Sequence, residues 1–436
     1  MKRLLTKAAL ISALAAGSLS AYAKTEIQWW HSMGGSLNEW VNDLANQFNA
    51  SQEEYKVVPV FKGEYPEALS AGIAAFRAGN APDILQVFEV GTATMIYAKG
   101  VTKSVSEIMK AADVPFDPNH YIPAVSSYYT APNGEMLSLP FNSSTTVLYY
   151  NKDAFQKAGL DPEKAPKTWK EVRSATEALK KSGHSCPMTI SWIGWTQLES
   201  FSAWHDVPYA TKNNGFDGLD ARLAFNSPLH VRHIENLANM AKEKLFVYHG
   251  RESASQPAFI SGECAIFMGS SGSYAGIKRD AKFNFGESTL PYYEDVAGAP
   301  QNTIIGGASL WVLAGKPESH YKGIAKFFDF ISQPQVQSNS HMRTGYLPVT
   351  LKAYELTEQS GFYKENPGTD VPVEQMVRKT TDRTRGVRLG NMPQIRTIVD
   401  EELEQVWTGK KTAQQALDSA VKRGNVLLER FESVNK

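Results

Sequence analysis

The 436-residue sequence lacks the features that define several common classes of protein. Its 45 basic and 45 acidic residues cancel, so it has no basic excess of the kind that nucleic-acid binding requires. It has no His-Glu-x-x-His, Gly-x-Ser-x-Gly or Walker A motif, and so no signature of a zinc protease, a serine hydrolase or a P-loop nucleotidase. Carboxylates are plentiful, so a catalytic acid–base pair assembled by the fold stays an alternative to simple binding.

Long apolar runs are also missing. The single short one, at residues 8–20, follows the basic residues Lys2, Arg3 and Lys7 and precedes Ala-Tyr-Ala at 21–23. This order predicts a secretory signal peptide over residues 1–23, cleaved after Ala23. A membrane anchor is disfavoured, because a spanning helix needs about 20 apolar residues. The pattern therefore predicts export to the periplasm.

Cysteine is scarce, with Cys186 and Cys264 alone in the chain. Both lie in the exported part, where the compartment permits a disulfide. Cys264 also begins an apolar run typical of a buried strand, which equally favours a packed free thiol. The sequence leaves both alternatives open.

Metal-ligating patterns are limited to His230 and His233, which are spaced to share a helix face. No third ligand lies nearby in the sequence, so we interpret the pair as an exposed helix start. We expect no metal site and no cofactor.

Strands and helices alternate in the first part of the chain. The sequence predicts strands at 26–30, 55–61 and 83–88 and helices at 37–48 and 66–77. This alternation predicts βαβ units and a mainly parallel sheet. Ligands bind outside the carboxyl ends of such strands, which places Tyr65 and Glu89 at one rim.

The extended segment 137–152 is apolar except for a polar interruption at 142–146. This pattern predicts a strand that leaves one lobe and enters a second. Thr168 and Glu171 form a capping box at the start of a further helix. The remaining pattern predicts helices and strands at 227–244, 263–268, 303–313, 319–333, 394–407 and 412–432. Two α/β lobes joined by extended crossings explain this order.

Several segments carry groups suited to a polar ligand. Ser270 lies where a strand passes into a helix, and Gly307 offers an uncovered backbone N–H group. Trp192 and Trp195 could form an apolar wall for a polyol, or could close the core. Tyr346 could donate a hydroxyl, or could pack at a turn.

Arg396 carries the least expected charge in the chain. Pro393 suits the first turn of a helix, which places Arg396 in that turn, where acidic side chains are preferred. A surface or ion-paired arginine is the simplest explanation. The other polar candidates favour an anionic ligand instead.

Nine segments together resemble one known family: 30–33, 69–77, 79–82, 85–95, 140–144, 149–155, 299–302, 304–312 and 388–407. The chain resembles the glycerol-3-phosphate-binding members of the extracellular solute-binding proteins of bacterial ABC importers, which are of the maltodextrin-binding-like class. The resemblance implies a two-lobed (type II) periplasmic binding fold. It implies an N-terminal lobe of 24–141 plus 295–343 and a C-terminal lobe of 142–294 plus 344–436.

The same resemblance implies the ligand contacts, which fall on Tyr65, Glu89, Ser144, Trp192, Trp195, Ser270, Gly307, Tyr346 and Arg396. It implies that the arginine, hydroxyls and backbone N–H groups hold phosphate, and that Glu89 and the indoles hold glycerol. Arg388 is a secondary candidate, because the alignment near Arg396 depends on a one-residue length difference.

The implied function is non-catalytic capture of sn-glycerol 3-phosphate, and of glycerophosphodiesters such as glycerophosphocholine. The implied partners are the inner-membrane permease and its cytoplasmic ATPase. Two alternatives stay open: a secreted glycerophosphodiesterase and a binding protein for an oligosaccharide or another polyol.

Overall fold

The structure is a computed structural model that describes residues 23–131, 133–378 and 381–436. The predicted signal peptide lies outside the described residues, apart from Ala23 at its end. No helix in the described part of the chain is long and apolar enough to cross a membrane.

The described residues form ten strands, which belong to two sheets. They are β1 Thr25–His31, β2 Tyr55–Phe61, β3 Ile84–Phe88, β4 Thr102–Lys103, β5 Leu139–Ser144, β6 Thr146–Asn151, β7 Cys186–Ile190, β8 Cys264–Ser270, β9 Phe285–Ser288 and β10 Gly306–Leu313.

Nine longer helices are described and pack on these sheets. They are α1 Gly35–Ser51, α2 Tyr65–Arg77, α3 Trp169–Lys181, α4 Pro228–Lys242, α5 Glu318–Ser332, α6 Pro334–Thr344, α7 Leu351–Gln359, α8 Met392–Trp407 and α9 Ala413–Asn435. Shorter helical segments are Thr92–Tyr97, Val105–Ala111, Pro123–Ser126, Lys152–Lys157, Ser200–Trp204, Gln256–Ile260, Tyr274–Asp280, Phe362–Glu365 and Val371–Met376, with a left-handed turn at Thr211–Gly215.

The first sheet has the order β2-β1-β3-β10-β4, and β5 also pairs with β10. β1 is parallel to β2 and β3, whereas β10 is antiparallel to β3, β4 and β5. Trp29 of β1 and Phe327 of α5 lie 5.5 Å apart in the core of this lobe. The predicted alternation of strands and helices is therefore confirmed for β1 to β3.

The second sheet has the order β7-β8-β6-β9. Only β7 and β8 are parallel there, because β6 is antiparallel to both β8 and β9. The prediction of mainly parallel sheets is wrong in both lobes. In the first sheet the reason is β10, which returns from the second lobe and enters the sheet in the opposite direction. In the second sheet it is β6, which comes from the first lobe and is antiparallel to both of its neighbours.

The chain passes between the sheets at Thr145, which separates β5 from β6. β5 pairs with β10 as far as Ser144, opposite Gly306. This pairing runs three residues past the lobe boundary predicted at 141, and the predicted boundaries themselves stay a prediction.

Cys186 and Cys264 form a disulfide between the neighbouring strands β7 and β8. This selects one of the two alternatives that the sequence left open.

His230 and His233 lie at the start of α4, as the spacing predicts, but both are completely buried. His230 bonds with Ser202 and Ser227, while the ring of His233 stacks on Phe201 at 4.0 Å. The prediction of an exposed helix start is therefore wrong. The sequence carried no sign of this burial because two of the partners, Ser202 and Phe201, come from a distant segment.

Candidate ligand-binding site

A cleft of about 370 Å³ lies where the carboxyl ends of strands from both sheets meet. Its lining contains every contact that the sequence predicts: Tyr65, Glu89, Ser144, Trp192, Trp195, Ser270, Gly307, Tyr346 and Arg396. The structure thus brings together residues that are spread over more than 300 positions of sequence.

Tyr65 begins α2 directly after the capping residue Glu64. Its ring stacks on Phe88 at 5.4 Å, and its hydroxyl oxygen accepts a 2.7 Å hydrogen bond from Asn142 Nδ2. Burial raises the pKa of Tyr65 well above its ordinary value. The hydroxyl is therefore protonated at neutral pH and fixed in place on the first lobe.

Tyr346 lies beside Tyr65 in the cleft, packs against Trp40, and its hydroxyl is 3.6 Å from Met33 Sδ. A Cβ atom on Gly272 would lie 2.5 Å from the Tyr346 ring, so the backbone after β8 approaches this ring closely only because residue 272 is glycine. Burial raises the pKa of Tyr346 to about 12. Ser270, at the end of β8, accepts a hydrogen bond from Gly272 N–H at 3.1 Å, which leaves its own O–H free to donate.

Ser144 and Gly307 occupy the ends of two paired strands, β5 and β10. Gly307 has a φ of +79°, and a Cβ atom there would lie 1.9 Å from the Asn142 carbonyl oxygen. Glycine is therefore required at position 307. Because it has no side chain, its backbone is open to the cleft.

The two indoles differ in role. Trp195 is 4% exposed, and its ring lies over Gly306, where a Cβ atom would come within 2.2 Å. Trp192 is partly exposed, has a positive φ of 49° and lies 6.2 Å from the Tyr65 ring. Trp195 is thus a buried residue at the edge of the cleft, and Trp192 is the more exposed of the two indoles that line it.

Arg396 is held by two carboxylates from different parts of the chain. Its Nε and Nη2 donate to the two oxygens of Glu199 at 2.8 Å each, and Nη2 also donates to Glu89 Oε1 at 2.5 Å. Glu89 follows β3 in the first lobe, whereas Glu199 ends a π-helical turn, Trp195–Glu199. The sequence did not identify Glu199, since nothing in Trp-Thr-Gln-Leu-Glu marks it as a partner of α8.

The buried charges perturb one another. Burial raises the pKa of Glu89, against the effect of the Arg396 guanidinium, and the Glu199 carboxylate adds to the rise. Burial lowers the pKa of Arg396, but the Glu199 and Glu89 carboxylates outweigh it and raise the pKa above its ordinary value. Arg396 therefore stays charged in a cluster whose carboxylates outnumber it.

Helix α8 begins at Met392, with Asn391 as its N-cap. Arg396 is consequently the fifth helical residue, and the prediction that it lies in the first turn is wrong. The positive end of a helix dipole acts mainly within the first turn. The charge of Arg396 is thus explained by Glu89 and Glu199, and the dipole contributes little.

Arg388 lies outside this cleft. Its guanidinium stacks on Phe216 at 4.9 Å and donates to the Tyr128 carbonyl oxygen at 3.2 Å. The structure therefore gives Arg388 a packing role away from the nine predicted contacts.

The lining of the cleft combines hydroxyl and backbone N–H groups with the charged pair of Arg396 and Glu89. The described residues that line it include no histidine or cysteine. The sulfur atoms of Cys186 and Cys264 lie within 4.8 Å of a His249 ring nitrogen, but the two sulfurs are bonded to each other and offer no thiolate to a metal.

Comparison with known proteins places the chain in one family. Residues 43–370 match the model of the family described as bacterial extracellular solute-binding protein. The chain is 57% identical over 421 residues to the sn-glycerol-3-phosphate-binding periplasmic protein UgpB of Yersinia enterocolitica, a match that covers 96% of each chain.

Two solved structures share the fold. UgpB from Mycobacterium tuberculosis in complex with glycerophosphocholine superposes with a TM-score of 0.79 at 24% identity, over 93% of this chain and 99% of that one. The acarbose-binding GacH receptor of Streptomyces glaucescens gives a TM-score of 0.77 at 17% identity, over 93% and 99% of the two chains. The two-lobed, type II periplasmic binding fold is thus confirmed, and the chain belongs to the bacterial extracellular solute-binding protein family.

Proposed function

We propose that this protein is the substrate-binding component of an ABC importer for sn-glycerol 3-phosphate and for glycerophosphodiesters such as glycerophosphocholine. It captures the ligand in the periplasm and delivers it to permease subunits of the inner membrane, and a cytoplasmic ATPase completes the complex. It acts by binding and carries out no reaction. The observation that carries this proposal is the gathering of the nine predicted contacts in one cleft of a chain 57% identical to a named glycerol-3-phosphate-binding protein.

The phosphate lies at the end of the cleft that offers neutral donors. These are the hydroxyls of Tyr65, Tyr346, Ser144 and Ser270 and the backbone N–H of Gly307. Phosphate oxygens accept hydrogen bonds and carry no proton to donate when fully ionised, so a set of donors suits them. Neutral donors also avoid a second desolvated charge in the site.

The glycerol lies at the other end, against Glu89 and the indoles of Trp192 and Trp195. Glu89 accepts hydrogen bonds from glycerol hydroxyls, and the indole faces cover its C–H groups. Arg396 is assigned here too, which differs from the role that the family resemblance implies. Its Nε and Nη2 are taken by carboxylates, so it orients Glu89 and offers the cleft only its remaining nitrogen, Nη1.

Calorimetric titration of the purified mature protein tests the proposal. Binding of glycerol 3-phosphate at one site per chain supports it, with inorganic phosphate and maltose as matched non-ligands. Incubation with glycerophosphocholine, followed by assay for free choline, tests the hydrolase alternative. Release of choline at a rate proportional to protein would overturn the assignment as a binding protein, and tight binding of maltose would favour the oligosaccharide alternative.

A further inference from the structure

A chain of three hydrogen bonds, two of them buried and the third partly buried, leads from the backbone of the first lobe to the cleft. The N–H of Ser32 donates to Gln86 Oε1 at 2.7 Å, and Gln86 Nε2 donates to Asn142 Oδ1 at 2.8 Å. Asn142 Nδ2 then donates to the hydroxyl oxygen of Tyr65 at 2.7 Å. These three hydrogen bonds therefore connect the end of β1, and the strands β3 and β5, to a residue of the cleft wall.

The direction of this chain is set at its first bond. A backbone N–H group can only donate, so the Gln86 oxygen must face Ser32 and the Gln86 amide nitrogen must face Asn142. The same reasoning makes the Asn142 oxygen face Gln86 and its nitrogen face Tyr65. Tyr65 thus receives a hydrogen bond from within the protein, and its own proton is left to donate to the neighbouring Tyr346 hydroxyl or to a ligand in the cleft.

In the wild-type protein the side-chain amides of Gln86 and Asn142 are each held in one orientation. Gln86 is 1% exposed and Asn142 is fully buried, so water cannot replace a lost partner. Each amide is attached to a strand, and β10 lies between those strands in the sheet. Reversing either amide would bury two donors or two acceptors against each other, which is costly inside a protein.

We propose that Gln86 and Asn142 are positioning residues that fix Tyr65 as a hydrogen-bond donor, and that this polarity makes the cleft select a group of acceptor oxygens, such as phosphate, at its Tyr65 end. Neither residue lines the cleft, so both act through Tyr65. The inference rests on the proposed function and adds to it the reason why the Tyr65 hydroxyl presents a proton to the phosphate.

The Asn142→Asp variant tests this polarity directly. An ionised carboxylate only accepts, so it takes one hydrogen bond from Gln86 and a second from the Tyr65 hydroxyl. Tyr65 then presents lone pairs to the ligand, and we expect affinity to fall roughly 10- to 100-fold. When the introduced carboxyl is protonated, it donates to Tyr65 as the amide does, so affinity returns as the pH is lowered.

The Gln86→Glu variant also reverses the hydrogen bond at Tyr65, although Gln86 reaches Tyr65 only through Asn142. Its ionised carboxylate accepts from both Ser32 and Asn142, which turns the Asn142 oxygen toward Tyr65. The Gln86→Met variant is the matched control, since it removes the hydrogen bonds without imposing the opposite polarity. A role in packing alone would make the methionine variant the weaker binder, whereas the polarity argument makes the glutamate variant weaker.

Other titratable groups surround Tyr65 and Tyr346, and they are the same in the wild type and in the variants. The charge of Glu89 raises the pKa of Tyr65, and the charge of Glu64 raises the pKa of Tyr346. Tyr65 and Tyr346 also affect the pKa of each other. His31 precedes Ser32, and burial lowers its pKa to about 4. The wild type carries all of these groups, so the ratio of variant to wild-type dissociation constants at each pH isolates the introduced carboxyl.

The experiment is calorimetric titration of the wild type and the three variants between pH 5 and 8, with glycerol 3-phosphate and glycerophosphocholine as probes. The ratio also cancels titration of the phosphate monoester, whose second pKa is about 6. The inference predicts a ratio that rises with pH for Asn142→Asp and Gln86→Glu and stays flat for Gln86→Met. Ratios near one, or flat ratios for all three variants, overturn it. If the wild type binds neither probe, the proposed function fails instead. If Asn142→Asp does not fold, Gln86→Glu against Gln86→Met decides the question.

Discussion

Arg396 and Glu199 form a two-point ion pair in which Nε and Nη2 each donate to a separate carboxylate oxygen at 2.8 Å. The Glu199 side chain is 1% exposed. The pair ties α8 to the π-helical turn that also carries Trp195, so one contact orients both the arginine and an indole of the cleft.

Replacing Glu199 tests this arrangement. We expect Glu199→Gln to weaken binding of glycerol 3-phosphate roughly 10- to 100-fold, because it removes a charged partner that holds Arg396 in place. Calorimetric titration measures the effect, and circular dichroism checks the fold.

Glu404→Gln is the matched control for that variant. Glu404 makes an equivalent two-point pair with Arg251, at 2.8 and 2.7 Å, on the partly exposed surface. We expect less than a twofold change in affinity there. Equal losses for the two variants would show that the Glu199 pair has no special link to the site.

Gly307 gives a prediction about stability. We expect Gly307→Ala to lower the free energy of unfolding by about 3 kcal/mol or more, because a positive φ and a backbone overlap with Asn142 add together. Gly315 has a similar φ of +82° with nothing within 4 Å of its Cβ position, so Gly315→Ala should cost only about 1 kcal/mol. Urea unfolding measures both, and equal costs would contradict the argument from close approach.

The two indoles should separate binding from stability. Trp195→Ala removes a buried ring and should cost about 3–5 kcal/mol of stability as well as affinity. Trp192→Ala removes a partly exposed ring and should weaken binding with a much smaller loss of stability. Thermal unfolding and calorimetry on the same samples test this contrast, which fails if Trp192→Ala is the more destabilising change.

The disulfide should matter for stability alone. It closes a segment of 78 residues within the second lobe, and the chain-entropy argument gives about 4.5 kcal/mol for a loop of that length. We expect Cys186→Ala with Cys264→Ala to lower the urea midpoint and to leave the affinity for glycerol 3-phosphate within twofold. A large loss of affinity would mean that the second sheet transmits strain to the cleft.

The buried histidines predict a dependence of stability on pH. Burial lowers the pKa of His230 to about 3, below its ordinary 6.5. Between these values only the unfolded chain takes up the proton, so this contribution to stability is complete above pH 6.5 and is lost as the pH falls. One such histidine contributes a slope of up to about 1.4 kcal/mol per pH unit.

We therefore expect His230→Gln to reduce the loss of stability between pH 6.5 and 4.5 relative to wild type, as measured by urea unfolding at each pH. Comparison of the two proteins is needed because Asp400, whose pKa burial raises to about 7, acts in the opposite direction. Parallel pH profiles would show that His230 does not titrate as a buried neutral group.

The sequence predicted the alternating strands and helices of β1 to β3, because their apolar periodicity is a local signal. The family resemblance implied the full set of residues that line the cleft. The sequence missed what depends on distant contacts. Glu199 lies in a segment whose tryptophans drew attention, and its partner is 197 residues away. Gln86 is an amide within an apolar strand and Asn142 begins the polar interruption at 142–146, and neither pattern indicates that the two amides bond to each other. The antiparallel entry of β10 was missed for the same reason, since it depends on the return crossing between lobes.

The central claim is that the cleft binds a glycerol phosphate. Calorimetric titration of the wild-type mature protein with glycerol 3-phosphate, in the presence and absence of excess inorganic phosphate and maltose, tests it most directly. We expect one site per chain, an affinity unchanged by maltose, and loss of binding in Arg396→Ala, whose free energy of unfolding should also fall because Glu89 and Glu199 lose their buried cation. Absence of binding to both glycerol 3-phosphate and glycerophosphocholine, in a protein that is folded and free of bound ligand, would contradict it.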